Sequence, residues 1–539
     1  MKNILFLLIV IFIVSFTANS QTTGKIIGTV KNAKTNEVIS GASVKILGTG
    51  IGTVADADGN FVLNTVKSGS YNVEVSFLSF TIKVMNNVVV GAGKTTTINI
   101  VLEPSASNIG EVTVKSRKRT SGTEAAVLYE LRKTNGIANG ISSQSIQKTG
   151  DLDAAQVVRR IPGITIVDNR FINIRGLAER YNAVQLNNVV APSLETDIRS
   201  FSFDLIPSSQ LDRVLVYKSP SADLPGDFAG GVVKVFVKTV PTENSLIVDY
   251  GIGARENATF STFKRPSSGE YYYTGFNHGD NDLPINFPKN LRSVTTSLRN
   301  AAGHALTNSW IPETTSGFLD QRLNIFGSKR ININNKLLTN ITAVSYSNSK
   351  VASDVQRGDF NTFSTTQSPI YKYNDAQFNY NVRLGLIHNW TLKLNDRHSF
   401  EFKNLFNQLS TSQVTNRTGR NFESAYSPDS YSFNNLYRGV YSGQFNGDHV
   451  LNYGNTKIDW VLGYGASYRD QPDYKRYRSD IEDGTGARVL YVPTGAAAAE
   501  FLGRFFSRLD ENVVTGAFNI NQKIKSNSTK FTPSIKVGG

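Results

Sequence analysis

Apolar and polar residues alternate along several long stretches in the second half of the chain. Leu246, Val248, Tyr250 and Ile252 fall on one face of an extended segment, and the same period of two recurs over residues 380–394 and 458–469. This period predicts strands with one apolar and one polar face. Nine strands are predicted, with starts near residues 246, 322, 337, 380, 398, 438, 457, 511 and 529.

The connections between these strands differ in length. Short turns at 395–397 and 454–456 separate strand pairs, and long polar stretches lie between the pairs at 408–436 and 470–510. Short turns alternating with long loops, with aromatic residues near the strand ends, are typical of outer-membrane barrels. We therefore predict that residues 243–539 form part of a transmembrane antiparallel β-barrel, with its apolar face toward lipid.

Nine strands do not make a complete bacterial barrel, because single-chain barrels have even numbers of strands. The sequence also ends at 535–539 without an aromatic residue. We therefore expect a fragment of a longer barrel, and a full-length nine-stranded protein is the poorer alternative.

The first residues have the pattern of an export signal. Lys2 precedes an apolar run from Ile4 to Phe16, and Ala18-Asn19-Ser20 provides small residues for a signal peptidase. We predict cleavage after Ser20, giving a signal peptide over residues 1–20. An uncleaved anchor is the weaker alternative, because a spanning helix needs about 20 apolar residues. Since no later stretch is apolar enough for such a helix, a membrane form must use strands.

Residues 24–103 are predicted to form short strands separated by turns, as in a small β-sandwich. The segment resembles the carboxypeptidase regulatory-like domain, a transthyretin-like sandwich. The matching residues are Gly28-Thr29-Val30, Gly41-Ala42-Ser43-Val44, Gly52-Thr53, Asp56, Asp58-Gly59-Asn60-Phe61 and Gly69-Ser70-Tyr71. In that family the domain is an accessory without catalysis.

Residues 104–125 are predicted to be a linker. It contains one apolar, β-branched hexapeptide in a polar context, Ile109-Gly110-Glu111-Val112-Thr113-Val114. Such a segment suits pairing with the sheet edge of another protein, and an edge strand of the following domain is an equal alternative.

Residues 126–240 are predicted to form a compact α/β domain, with a short helix over 151–160 and several strands of period two. It resembles the plug domain of TonB-dependent outer-membrane receptors of the Bacteroidetes type, in the subgroup with an Arg-Tyr-Asn signature. The motif residues are Arg175, Gly176, Arg180, Tyr181, Asn182, Asn187, Pro207, Ser208, Gly230 and Gly231. Ile174, Leu177, Leu186, Pro192-Ser193, Glu195, Val216–Pro220 and Leu224–Ala229 extend the match.

The resemblance implies a receptor for active import. Residues Ile109–Val114 would be the TonB box, and the complete barrel would have about 22 strands. The expected partners are the TonB complex, outer-membrane lipid and an unknown nutrient ligand, and a surface lipoprotein partner stays open. The N-terminal sandwich would lie in the periplasm. No cofactor and no metal are expected.

Composition argues against other classes of protein. The 539 residues include no Cys and five His, which excludes disulfides and thiolate metal sites. The net charge of +14 permits anionic partners. We nevertheless expect no nucleic-acid binding, because the basic run Lys115–Arg119 lacks interleaved aromatics.

The strongest enzyme candidate is a zinc site formed by His398, Glu401 and His449. Side chains three positions apart on a strand point to opposite faces, so His398 and Glu401 are not expected to share a metal. We expect no enzyme. Signalling through the periplasmic domain and surface adhesion are the alternatives to import.

Overall fold

The computed structural model describes residues 23–104 and 122–539, apart from residues 50, 78–79, 135, 196–199, 242, 268, 270, 335, 362–367, 494–500 and 525–532. The predicted signal peptide and the hexapeptide Ile109–Val114 lie outside the described residues. The chain divides into two compact units, Met1–Ser116 and Arg117–Gly539. None of the described helices is long and apolar enough to cross a membrane.

The first unit is a sandwich of two four-stranded sheets. One sheet has the order β4-β1-β7, with β8 also paired to β1, and the other has the order β3-β2-β5-β6. Alternate residues such as Val44, Ile46, Val73 and Val75 are buried between the sheets. The strands are β1 (Thr23–Asn32), β2 (Ser43–Ile46), β3 (Gly52–Val54), β4 (Asn60–Lys67), β5 (Gly69–Ser76), β6 (Lys83–Val90), β7 (Thr95–Thr97) and β8 (Ile100–Leu102).

The regular alternation of buried and exposed residues is interrupted in β6. In this strand the register shifts between Tyr71 and Val73 of its neighbour, and Asn87 has a φ of 58°. The irregularity interrupts the alternation that would have indicated a strand.

The second unit begins with an α/β region, Glu124–Val237. Its five-stranded sheet has the order β13-β12-β15-β14-β9, in which only β12 and β15 are parallel. The elements are α1 (Glu124–Arg132), β9 (Ala138–Ser142), α2 (Ser143–Thr149), α3 (Ala154–Val158), β10 (Ile164–Val167), β11 (Phe171–Ile174), β12 (Asn182–Leu186), β13 (Val189–Val190), β14 (Leu211–Tyr217) and β15 (Gly231–Val237). The predicted helix over 151–160 is shorter, because Asp153 caps α3 by accepting from Gln156 N.

Eleven strands of the described residues then form one large antiparallel sheet, in which nine follow chain order from β16 to β28, while β25 pairs with β23 and β26 pairs with β25. Its main strands are β16 (Ser245–Gly253), β19 (Asp320–Ile333), β20 (Lys336–Phe360), β21 (Pro369–Lys393), β22 (His398–Asn421), β23 (Ser427–Leu451), β24 (Thr456–Tyr477), β27 (Leu502–Lys523) and β28 (Ser534–Gly538). The smaller elements are β17 (Thr262–Arg265), α4 (Thr296–Ala305), β18 (Glu313–Ser316), β25 (Ser479–Ile481) and β26 (Arg488–Leu490).

The assignment of 408–436 to a loop was wrong, and the loop assigned to 470–510 is shorter, because β24 and β27 take up its two ends. β22 and β23 continue through the first stretch and leave only residues 422–426 as their connection, and β24 continues to Tyr477. The strands reach 25 residues, or about 80 Å at roughly 3.3 Å per residue, whereas crossing a bilayer takes about 9–11 residues. Beyond the predicted bounds, the strands carry polar residues on both faces. The backbone hydrogen bonds between the strands therefore continue where the alternation of apolar and polar residues has stopped.

The two faces of the large sheet have different contacts. The inner face, defined by Arg383, Leu405, Arg438 and Ser467, contacts the α/β region. The outer face carries exposed apolar side chains, among them Leu246, Leu386, Phe402, Phe445, Leu462, Val514 and Phe518. This assignment of faces agrees with the alternation in the sequence.

Part of the predicted lipid-facing surface is covered instead. Phe263 and Tyr272, from the long connection between β16 and β19, pack on Tyr380 and Val382 of the outer face. Tyr380 is 6% exposed and Val382 is fully buried. The expectation that both face lipid is therefore wrong, because sequence alternation shows which residues share a face but not what covers it.

Candidate functional site

An ion pair joins the α/β region to the inner face of the large sheet. Arg438 in β23 donates to Asp204 Oδ2 at 2.6 Å and to Ser202 Oγ at 2.8 Å, and Ser202 Oγ donates to Asp204 Oδ1 at 2.9 Å. Burial would raise the pKa of Asp204, but the Arg438 guanidinium outweighs it and holds that pKa below its usual range. Asp204 is therefore a buried carboxylate that needs its cation.

A second ion pair lies close by. Arg383 in β21 donates to Asp153 Oδ2 at 2.8 Å, and Asp153 also caps α3. Burial raises the pKa of Asp153, and Arg383 offsets this only in part. The charge of Asp204 raises the pKa of Asp153 further, so the two carboxylates belong to one electrostatic cluster. In this cluster the ionised form of Asp153 is less stable than that of Asp204.

Backbone carbonyls of the α/β region take further hydrogen bonds from the sheet. Gln444 Nε2 donates to Leu186 O at 2.8 Å, and Ser467 Oγ donates to Ser193 O at 2.6 Å. The Ser193 N–H donates to Glu511 in β27. These bonds connect three neighbouring strands to one edge of the α/β region.

Glycines let the two parts approach closely. A Cβ atom on Gly463 would lie 2.7 Å from Val189 Cγ2, and one on Gly465 would lie 3.4 Å from Pro192 Cδ. Real Cβ atoms rarely come within about 3 Å of such neighbours, so a side chain at 463 would push β13 away from β24.

The contact includes buried polar atoms without a protein partner. Both amide atoms of Gln210 and of Asn407 have none, and both residues are at most 1% exposed. They surround Gly385, where a Cβ would lie 2.6 Å from Asn407 Oδ1 and from Ser345 Oγ. Unpaired buried amides are costly, so this part of the contact holds the two surfaces together weakly.

The first group of motif residues forms a turn. Arg175 and Gly176 have φ values of 54° and 78°, and Ile174 and Leu177 exchange backbone hydrogen bonds across them. The left-handed conformation favours glycine at 176. Arg180 follows in a short 3-10 turn and, like Arg175, is exposed.

The next group holds two strands together. Asn182 Nδ2 donates to Ile172 O at 2.9 Å, and Asn182 Oδ1 lies where a Cβ on Gly230 would be. A Cβ on Gly231 would lie 2.7 Å from Tyr217 O. The carbonyl of Tyr181 accepts from Gly230 N at 3.1 Å. These residues fix the junction of β12, β14 and β15.

The last group connects loops to the sheet. The buried Asn187 Oδ1 accepts from Val237 N at 3.0 Å. Pro207 bridges to Asp153, and Ser208 N donates to Leu152 O at 3.1 Å. Pro207 and Ser208 therefore position the residue that binds Arg383, and the described contacts give these motif residues a structural role.

A pocket of about 240 Å³ lies at the opposite end of the strands from the short turns at 394–397 and 452–455. We call it the loop-end pocket. Its lining is Tyr373, Thr415, Arg417, Tyr426, Pro428, Ser430, Tyr431, Ser432, Tyr474, Arg476, Tyr477, Arg478 and Phe501.

Three arginines and six aromatic rings dominate this lining. Arg417 makes a bidentate pair with Asp375 at 2.7 and 2.8 Å, and Arg357 binds the same carboxylate at 2.8 Å. The Arg478 guanidinium lies 3.6 Å from the centre of the Tyr426 ring and pairs with Asp480.

Two family models match the chain. Residues 26–114 match the CarboxypepD_reg-like domain, and residues 130–233 match the TonB-dependent receptor plug domain. The α/β region is a receptor plug domain. The expected family resemblance is confirmed, and the first unit contains the carboxypeptidase regulatory-like sandwich.

Solved structures show low-identity similarity. The ferric citrate transporter FecA is 12% identical over 77% of this chain and 57% of its own, with a TM-score of 0.33. The siderophore receptor PiuA from Acinetobacter baumannii is 10% identical over 75% and 61%, with a TM-score of 0.31. A cohesin-X-dockerin complex from Acetivibrio cellulolyticus shares 25% identity over 16% of this chain and 62% of its own, with a TM-score of 0.15. This chain thus spans about three-fifths of each. No curated protein matches.

The plug domain contacts the sheet through residues that sequence reasoning missed. Asp153, Asp204 and Arg438 were not predicted, although the alternation over 380–394 puts Arg383 on the polar face. Asp204 and Arg438 are 234 positions apart, and no local pattern connects such partners. A charged residue on the polar face of a strand was the only available signal.

The rejected zinc site is partly assembled. His398 Nδ1 lies 3.1 Å from His449 Nδ1 on paired strands, whereas Glu401 binds Lys403 at 2.7 Å on the opposite face. In the described part of the chain, no group of three or more His, Asp or Glu could hold a metal.

Proposed function

We propose that the protein imports a scarce nutrient across the bacterial outer membrane, driven by the TonB complex. The observation that carries the proposal is a plug domain bound to the polar inner face of an antiparallel sheet whose central strands have 22–25 residues. A plug held inside a membrane barrel would close the pore of that barrel until the plug is moved. The energy would come from the inner-membrane proton gradient, through TonB.

The membrane position follows from the outer face. Exposed residues such as Leu386, Phe402 and Leu462 would contact outer-membrane lipid. The short-turn end of the strands would face the periplasm, where the N-terminal sandwich would also lie. The strands would continue beyond the bilayer on the outside, since they are longer than a bilayer requires.

The two sheet edges support a larger barrel. β16 and β28 each pair on one side only within the described part of the sheet. A plug of this size does not fit a nine-stranded ring, because barrel diameter grows with strand number. Further strands would therefore close the barrel in the whole receptor.

TonB would act on the hexapeptide Ile109–Val114. An extended, β-branched segment can add a strand to the sheet edge of TonB and transmit force along the backbone. The plug contact suits such a release, because it combines charged and backbone hydrogen bonds with unpaired amides at Gln210 and Asn407. Polar contacts of this kind exchange with water more readily than a hydrophobic core.

A deletion series tests the proposal. Cells lacking residues 109–114 should lose uptake while keeping normal surface abundance, and cells lacking the equally long basic segment 115–120 should keep uptake. Growth is measured with iron, a vitamin, glycans or peptides as the limiting nutrient, since all these substrate classes remain open. Unchanged uptake without 109–114 would refute the proposal. Adhesion or signalling would then be the remaining functions, because neither depends on uptake driven through this segment.

Crosslinking gives a direct second test. Because the chain has no Cys, Val112→Cys introduces a single thiol. It should form a disulfide with a cysteine in the TonB sheet edge when ligand is present, and Ser105→Cys should not. Equal crosslinking of both variants would contradict a specific TonB contact. Capture of a surface lipoprotein in the same experiment would identify a further partner.

A further inference from the structure

The chemistry of the loop-end pocket indicates which kind of ligand it accepts. The lining contains three arginines and no acidic side chain. An anion is attracted to such a lining, and a cation is repelled.

The carboxylates near the pocket do not neutralise all of the arginine charge. Asp375 takes bonds from two guanidiniums, Arg357 and Arg417, and one carboxylate neutralises only one of them. Only Arg417 lines the pocket. Arg478 is balanced by Asp480. Asp375 and its two arginines together therefore keep one positive charge, and Arg417 is the member of this group that reaches the pocket.

The aromatic walls favour a flat ligand. The Tyr373 ring lies beside Arg417, whose guanidinium is 5.0 Å from the ring centre, and Tyr373 Oη lies 3.1 Å from Tyr426 Oη. Flat rings of this kind stack on an aromatic body, and the hydroxyls provide hydrogen bonds at its edge. The volume of about 240 Å³ is below the roughly 300–1,000 Å³ of pockets for drug-sized ligands, so it suits a single ring system.

We propose that the loop-end pocket binds an aromatic anion, a flat ring system carrying a carboxylate, with Arg417 facing the negative group. This inference rests on the proposed import function, for which it names the substrate class. Arg417 is already held by Asp375, so its guanidinium loses little freedom when the ligand binds. Uncharged sugars would also stack on the rings, but they would not depend on Arg417.

The test measures binding to the full chain in detergent by fluorescence titration with 2-naphthoate, using 2-naphthamide as the uncharged comparison. Arg417→Gln should weaken 2-naphthoate binding about ten-fold or more and leave 2-naphthamide unchanged, as expected for loss of a charged contact. Arg420→Gln is the matched control, because it also removes an arginine paired with an aspartate, Asp483, near the end of the same strand but lies outside the lining. Tyr474→Ala should weaken both probes equally.

Three results would overturn the proposal. These are no binding of 2-naphthoate, equal affinity of the wild type for both probes, and an equal loss in the Arg420→Gln and Arg417→Gln variants. An oligosaccharide that displaces both probes, with an affinity that Arg417→Gln leaves unchanged, would likewise overturn it and indicate a glycan site instead. Binding in detergent does not require TonB, so the titration tests the ligand class and the deletion of 109–114 tests import. Either proposal can therefore be refuted while the other one stands.

Discussion

The two aspartates that face the sheet should respond differently to loss of charge. Asp204 and Asp153 each pair with one arginine of the inner face, Arg438 and Arg383. The environment lowers the pKa of Asp204 and raises the pKa of Asp153. Neutralising Asp204 should therefore destabilise the plug, and neutralising Asp153 should not.

The magnitudes follow from burial. Asp204→Asn leaves Arg438, which is 5% exposed, without its carboxylate, and breaking a buried pair costs about 3–5 kcal/mol. Asp153→Asn keeps a side-chain oxygen for the cap of α3, removes a carboxylate that burial disfavours, and leaves the partly solvated Arg383. Its cost should stay within about 1 kcal/mol.

The dependence on pH separates the two groups further. Asp204 has a depressed pKa in the folded plug, so its contribution is present above the ordinary carboxyl value of about 3.9 and is lost below it. Asp153 has a raised pKa, so its protonation stabilises the fold as the pH falls from 7 toward that ordinary value. Wild-type stability relative to Asp153→Asn should rise over this range.

Pulse proteolysis of the full chain in detergent, across a urea series, measures plug unfolding through loss of the plug fragment. The Asp204→Asn variant should unfold at clearly lower urea than Asp153→Asn at pH 7. Equal midpoints for the two variants, or a larger loss in Asp153→Asn, would refute the electrostatic argument.

Two further variants probe the plug contact and its motif. In Val189→Cys/Gly463→Cys, the Cβ positions lie 3.3 Å apart, near the roughly 3.5–4.5 Å of disulfides, so oxidation should stop uptake and a reductant should restore it. Uptake by the oxidised variant would show that this edge of the plug does not move. Gly230→Ala places a Cβ against Asn182 and should lower plug stability by about 1–3 kcal/mol in the same proteolysis assay, and an unchanged midpoint would contradict the close packing there.

The sequence determined much of the local structure. Alternation at Leu246–Ile252 and 458–469 assigned residues to faces correctly, because side chains on a strand alternate whatever lies around them. The plug could be recognised from motifs that occur in a fixed order along the chain. In these motifs Gly176 allows a left-handed turn, and Asn182 packs closely against Gly230.

Only the tertiary structure decided the contacts between distant segments. It placed Arg438 on Asp204, covered Tyr380 with Phe263, and extended β22 through a polar stretch where hydrophobic alternation had ended. A charged or apolar side chain has the same appearance in the sequence whether it faces solvent, lipid or a buried partner. The free energy of burying such a side chain depends on the neighbours that it contacts, and these neighbours can be hundreds of positions away in the sequence. Only the packing of the sheet against the plug determines which neighbours they are.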